Sequence, residues 1–232
     1  MKIQNNLDRL VRQFHVIYYH FLGIITFPIQ FLFLSNLDIE VDTSFNRVDV
    51  INLIIKQNNF KSYLEIGCDL NKTFNNVIIQ DKVGVDPIRG GTFRGTSDDF
   101  FSSNIKVFDL IFIDGSHLVE DVYRDLVNSL NCLKKGGIIL FDDILPTKQI
   151  RTFRKRCTNK WNGDVYKIVK FIDKLEEASF HYLPYDHGMG LIKKNNEKVI
   201  LFKNENFNDF SFKDYKKFVQ NKSSFKKLLD SE

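Results

Sequence analysis

Cysteine is scarce in this chain, with three in 232 residues. Cys68, Cys132 and Cys157 are odd in number, far apart, and form no C-x-x-C pair. That pattern excludes a disulfide framework and a zinc knot, and it fits reduced thiols in a cytoplasmic setting. The sequons at Asn71 and Asn221 carry no weight in such a compartment. An excess of charge of one sign is also missing. The formal net charge is only +4, and Lys and Arg alternate with Asp and Glu along most of the chain. A solvated surface is expected, and a nucleic-acid groove is not. Nor is there a G-x-G-x-x-G fingerprint, so the simplest signature of dinucleotide binding is absent.

What is abundant is apolar and aromatic material, 43% and 14% of residues, enough for one well-filled core with appendages but not for two full domains. Residues 13–37 contain no Asp, Glu, Lys or Arg and are dense in Phe, Ile, Leu and Tyr. The run is long enough for a bilayer crossing of roughly 20 residues, with Arg9 and Arg12 at a cytoplasmic end. His15, His20, Pro28 and Gln30 count against a span, and no small-x-small site follows to suggest a cleaved signal. Three readings stay open: a helix on a membrane surface, a full span, and a flap packed on the domain or on a second copy of the chain. The expected division is a hydrophobic appendage over 1–40, a main domain over 41–195, and a basic helical extension over 196–232. The extension, "FSFKDYKKFVQNKSSFKKLL", reads as an amphipathic helix that docks on the domain or lies at a membrane.

The main domain opens with a helix, "TSFNRVDVINLIIKQNN", for which Thr43 or Ser44 is the expected N-cap. The period then changes. "SYLEIG" (62–67), "KVGVD" (82–86), "FDLIFID" (108–114) and "GIILFDD" (137–143) are short apolar runs, each ending in Gly or an acid. Such continuous runs mark strands buried on both faces, and therefore a parallel sheet. Between the last two lies "HLVEDVYRDLVNSLNCL", with Val119, Val122, Leu126, Leu130 and Leu133 on one helical stripe, and the turn "KKGG" is expected to end that helix. Alternation of strand and helix gives a doubly wound α/β sheet, in which ligands bind beyond the carboxyl ends of the strands. At those ends stand Glu65, Gly67, Asp86, Asp114, and the pair Asp142 and Asp143.

The blocks "YLEIGCDLNKTF", "VGVDP", "GGTFRGTSDDFF", "FDLIFIDGSHLVEDVYRDL", "LKKGGIILFDD" and "WNGDVYKIV" run in one order over roughly residues 60–192. In this they resemble the class I S-adenosylmethionine-dependent methyltransferases, and among them the metal-dependent sugar and small-molecule O-methyltransferases of glycan biosynthesis. The resemblance implies a Rossmann-like, mostly parallel seven-stranded sheet with helical appendages at both ends. Asn71 stands where the family has a second glycine, a change that asparagine's tolerance of left-handed backbone angles accommodates.

Carried over position by position, the resemblance implies that Glu65 and Gly67 shape the methionine end of the S-adenosylmethionine pocket, with Asp114 beside them. Thr73 would meet the cofactor carboxylate, Asp86 the ribose, and Ser97 and Asp98 the adenine. Plain helix capping accounts equally well for Ser97 and Asp98. Asp114, Asp142 and Asp143 would hold a divalent cation, and an all-carboxylate set favours Mg2+. His117, three residues after Asp114, is the expected general base, since imidazole titrates nearest to neutral pH of all side chains. A contact that supports a metal ligand, or a helix N-cap, is the competing role; the competing functions are a metal-independent small-molecule methyltransferase in which His117 alone is the base, and a non-catalytic cofactor-binding subunit of a glycan assembly complex. His187 in "YDHGMG" is placed near the substrate, and His181 is read as structural. Seven Lys or Arg between Lys148 and Lys167 suit an acceptor phosphate or carboxylate, although such runs are commonly solvated loops. Trp161 suits a sugar face. The expected partner is a sugar or glycan substrate, with a homo-oligomer and a membrane surface left open.

Overall fold

The computed structural model describes residues 34–197 and 206–221. Most of the uncharged segment 13–37, and with it the question of a membrane, lies outside them. Among the described residues no helix is long and apolar enough to cross a membrane.

In chain order the elements are α1 (Arg47–Asn58), β1 (Ser62–Ile66), α2 (Lys72–Asn76), β2 (Asp81–Asp86), β3 (Phe93–Arg94) and α3 (Ser97–Ser103). They continue with β4 (Phe108–Ile113), α4 (Val119–Cys132), β5 (Leu133–Phe141), α5 (Val169–Ile172), β6 (Ala178–Leu183), β7 (Met189–Lys194) and α6 (Phe212–Asn221). The strands form one sheet in the order β3-β2-β1-β4-β5-β7-β6, with only β7 running against its neighbours. This is the Rossmann-like seven-stranded fold expected from the sequence. The order reverses between β1 and β4, so the crevice for a ligand falls beyond their carboxyl ends.

Successive side chains of a strand face opposite ways, and the two faces fill separately. Leu64, Ile66, Ile111, Ile113, Ile139 and Phe141 pack against Val119, Val122, Leu126 and Leu130 of α4. Tyr63, Leu110, Phe112, Ile138 and Leu140 pack against Val50, Ile51, Ile54 and Ile55 of α1. Phe212, Tyr215 and Val219 bring α6 onto the α4 face, and the Tyr215 hydroxyl donates to Ile144 O at 3.0 Å. Over 212–221 the helix is thus docked on the domain, while the rest of the basic stretch, 222–232, lies outside the described residues.

Two local expectations change. The cap of α1 is Asn46, whose side chain accepts from Val48 and Asp49 N–H while Asp49 bonds back to the cap; Ser44 instead donates to Asp42. "KKGG" is no turn: α4 ends at Cys132, and β5 begins at Leu133 and runs through both glycines. The pairing register with β4 shifts between Phe108 and Leu110, and Gly136 takes φ +78, so a bulge absorbs the residues that looked like a loop. The end of α4 is closed from elsewhere, by the buried ammonium of Lys194 donating to Leu130 O and Leu133 O at 2.9 and 2.8 Å. Lys194→Met is expected to lower stability by about 1–3 kcal/mol in urea denaturation, because two buried carbonyls lose a charged donor.

Candidate active site

The loop after β1 brings the backbone close to the loop after β4. Gly67 has φ +91, and a Cβ there would lie 2.3 Å from Asp114 O and 2.4 Å from Gly115 Cα. Gly67→Ala is expected to cost at least about 2 kcal/mol in thermal or chemical unfolding, since both strain and clash fall on backbone. Asn71 adopts φ 60, the left-handed turn expected of it, and its Oδ1 accepts from Gly91 N at 2.7 Å.

A cavity of about 360 Å3 opens here, walled by Gly67, Asp86, Arg89, Asp114, Gly115 and His117 among others. Four of the residues singled out in the sequence thus meet in one place. Asp86 sits at the end of β2, and its carboxylate accepts from the N–H groups of Asp69, Ile88 and Arg89 at 2.8–2.9 Å, tying two loops together. Four residues expected to touch the cofactor are not in this lining. Thr73 lies on α2. Ser97 and Asp98 open α3 behind the Thr96 cap, where Asp98 pairs with Arg124 at 3.0 Å. Glu65 is buried within the sheet and accepts from the Tyr63 hydroxyl at 2.6 Å.

Burial pushes the Glu65 carboxyl up to about 7 from an ordinary 4.5, against the opposing Tyr63 hydrogen bond and the Arg47 charge. A carboxyl that holds its proton more tightly when folded stabilises the fold below its unfolded value, and that contribution is lost as pH rises from about 4.5 to about 7. Glu65→Gln is therefore expected to be more stable than the native chain at pH 8, by up to about 3 kcal/mol. The gain should vanish near pH 4.5; equal melting shifts at both pH values would contradict it.

The segment after β5 carries the acidic pair. Asp143 has φ +59, a left-handed angle that aspartate tolerates, and its Oδ2 lies 2.9 Å from His117 Nδ1. Residues 161–164 brace this pair one after another. The Trp161 ring stacks on the His117 ring at 4.5 Å between centroids, and Asn162 Nδ2 donates to Asp143 Oδ1 at 2.7 Å. Gly163 passes so close that a Cβ would lie 1.9 Å from His117 O, and Asp164 Oδ1 accepts from Val119 N at 3.0 Å. Because α4 has no side-chain cap of its own, Asp164 acts as one from 45 residues away. Trp161, expected as a sugar platform, spends at least one face on the histidine.

A second cavity, of about 220 Å3, adjoins Asp143. Its walls include Asp143, Trp161, Asp186 and His187, together with Thr43, Thr147, Arg151 and Lys160. His117 thus borders one cavity while its partner Asp143 borders the other. Of the basic run, Arg154 is committed to Glu120 and Asp164, whereas Arg151 and Lys160 face this second cavity.

One residue that sequence reasoning passed over occupies the centre. Arg47, the first residue of α1, sends Nη1 to Asp114 Oδ2, Nη2 to Asp142 Oδ2 at 2.5 Å and Nε to Asp186 Oδ2 at 2.6 Å. The three acids raise its pKa further above its already high ordinary value, outweighing burial. Burial above all, then repulsion by Asp142 on Asp114 and by Asp143 on Asp142, pushes both carboxyls upward despite the guanidinium.

The expected trio Asp114, Asp142 and Asp143 is therefore bridged in part by an arginine. The acids that do come together with a histidine are Asp142, Asp143 and His187, whose ligand atoms all lie within 4.8 Å of one another. But Asp142 Oδ2 is already on Arg47, and His187 Nδ1 is 3.1 Å from its Nη2. At about 4 Å and an effective dielectric of about 20, a divalent ion and a guanidinium repel by roughly 8 kcal/mol, twice the unit-charge value. The arrangement does not fit a Mg2+ ion while Arg47 stays in place.

Residues 55–144 match the family model described as a methyltransferase domain, a match that ends just past Asp142 and Asp143. With the strand order above, this defines the class of the matched segment: residues 55–144 form a methyltransferase domain. Among solved structures it is similar to the O-methyltransferase TomG of Streptomyces achromogenes, involved in tomaymycin synthesis and bound to S-adenosylmethionine, with 12% identity, TM-score 0.49, and 65% of this chain and 80% of that one covered. It is also similar to an O-methyltransferase of Bacillus cereus in complex with S-adenosylhomocysteine, with 12% identity, TM-score 0.46 and coverage of 64% and 80%. The methyltransferase PaMTH1 of Podospora anserina, bound to S-adenosylhomocysteine, aligns at 16% identity and TM-score 0.48 over 83% of this chain and 96% of that one. No curated protein matches the sequence significantly. The class rests on the matched segment and the strand order, not on these distant likenesses.

Proposed function

We propose that the protein methylates an oxygen of a small acceptor, a sugar hydroxyl of a glycan or glycan precursor, with His117 as general base. The observation that carries this reading is the His117–Asp143 pair, 2.9 Å apart, in which His117 lines one cavity and Asp143 the other. S-adenosylmethionine in the 360 Å3 cavity would supply an electrophilic methyl group, with Asp86 toward its ribose and Gly67 and Asp114 toward its methionine end. An acceptor in the 220 Å3 cavity would meet hydroxyls, an amide and an aromatic edge, as a sugar requires, and Arg151 and Lys160 suit a phosphate or carboxylate on it.

As the acceptor oxygen forms its new bond to carbon and the carbon–sulfur bond breaks, the hydroxyl proton must leave. His117 Nε2 is the nitrogen left to take it, because Nδ1 lies 2.9 Å from Asp143 Oδ2, a close charge contact without hydrogen-bond geometry. The imidazolium so formed is stabilised by that carboxylate and by the face of Trp161. Holding the acceptor in line between two fixed cavities supplies the remainder of the catalysis.

Assistance by Mg2+ is the second reading, favoured by the Asp142–Asp143–His187 grouping and by Asp142 Oδ1, a buried oxygen without a hydrogen-bond partner. It requires Arg47 to withdraw. Calorimetry with S-adenosylmethionine tests the cofactor half, and saturable binding is expected. Incubation with a panel of sugars and sugar phosphates, read by mass spectrometry for the gain of one CH2, tests the acceptor half. Methylation confined to nitrogen acceptors would overturn it.

A further inference from the structure

The acids that the sequence offers to a metal are already served by a cation belonging to the chain. Arg47 uses three different nitrogens on three carboxylates, and these come from three separate segments: after β4, after β5, and between β6 and β7. The guanidinium is also fixed from its own side. Asn46 and Asp49 cap the helix that carries it, and its ζ carbon lies 5.9 Å from the Phe112 ring centroid. Such a planar fork, pre-organised at a helix start, does what a bound ion would do: it draws acids from different loops to one point and offsets their repulsion. It does so with one charge, which leaves Asp142 Oδ1 without a partner.

Resting on the methyltransferase reading above, we infer that Arg47 is the resident cation of this site and that methyl transfer here needs no divalent metal. Asp142, Asp143 and His187 become a metal site only when that guanidinium is removed. Arg47 is a positioning residue: it holds Asp114 against the cofactor cavity and Asp142 behind Asp143.

The full-length protein is titrated with Mn2+ and followed by electron paramagnetic resonance, with S-adenosylmethionine affinity measured by calorimetry on the same sample. The native chain is expected to bind no Mn2+ at millimolar concentration and to retain turnover in excess chelator. Arg47→Ala is expected to bind one Mn2+ at least tenfold more tightly than the native chain, an increase that adding Asp142→Asn abolishes. Stoichiometric Mn2+ binding by the native chain would overturn the inference, as would a folded Arg47→Ala protein that binds none. Should Arg47→Ala not fold, Arg47→Gln, which keeps hydrogen bonding without the charge, carries the same comparison. Loss of S-adenosylmethionine binding in the native chain would sink the methyltransferase reading instead, and the calorimetric arm tells the two failures apart.

Discussion

His117→Ala is expected to lower turnover by about 10²–10⁴-fold while S-adenosylmethionine affinity stays within a few fold. The ring borders the cofactor cavity but is held by residues of the acceptor side, so its loss removes a proton acceptor without dismantling the ligand wall built from Gly67, Asp86 and Asp114. Three measurements separate this outcome from simple damage. Calorimetry should show the cofactor still binding. The limb of the pH–rate profile on which turnover rises with pH should disappear, and added imidazole should restore part of the rate. A variant that keeps both its turnover and its pH limb would remove His117 from the mechanism.

The second large effect is expected far less obviously from Gly163→Ala, which changes no group that touches a reactant. A methyl at position 163 would lie 1.9 Å from the His117 carbonyl oxygen, and the φ of +60 there is already unfavourable for alanine. Backbone cannot yield as the end of a side chain does, so the 161–164 segment must lift from His117. Trp161 stacking, the Asn162 bond to Asp143 and the Asp164 cap on α4 would loosen together. A displacement near 1 Å at a reacting group costs about 10²-fold. The expected signature is a fall in kcat of that order with KM for the cofactor little changed. Asp164→Asn is the milder companion, since it keeps the shape of the cap and removes its charge. A Gly163→Ala protein with native kcat would mean that the brace is dispensable.

The parallel strands were legible because each is a continuous apolar run stopped by Gly or an acid, which is what burial on both sheet faces demands. Asn71 was legible for a similarly local reason. The "KKGG" segment was misread because glycines in a bulged strand look like glycines at a helix end; only the pairing with β4 distinguishes them. For Ser97 and Asp98 the block suggested the adenine and the local sequence a helix start; they do open α3 behind the Thr96 cap, with Asp98 on Arg124. Arg47 could not be found by spacing at all. It lies 67 residues from Asp114 and 139 from Asp186, and in the sequence it is one charged residue at the start of an ordinary helix. The only local hint was the N-x-x-D capping box that fixes the helix start, and a capping box says where a helix begins, not what its first side chain reaches.

Ile39, Val41 and Thr43 close one side of the smaller cavity, and the segment that bears them is fastened by a bridge from Asn36 to Lys148, a bond from Leu37 N to Thr147 O, and a bridge from Asp42 to Tyr185. None of these fastenings uses the strands that hold the cofactor side. On the proposed reading, exchanging Ile39 or Val41 is therefore expected to change which acceptor is methylated, while S-adenosylmethionine affinity stays within a few fold.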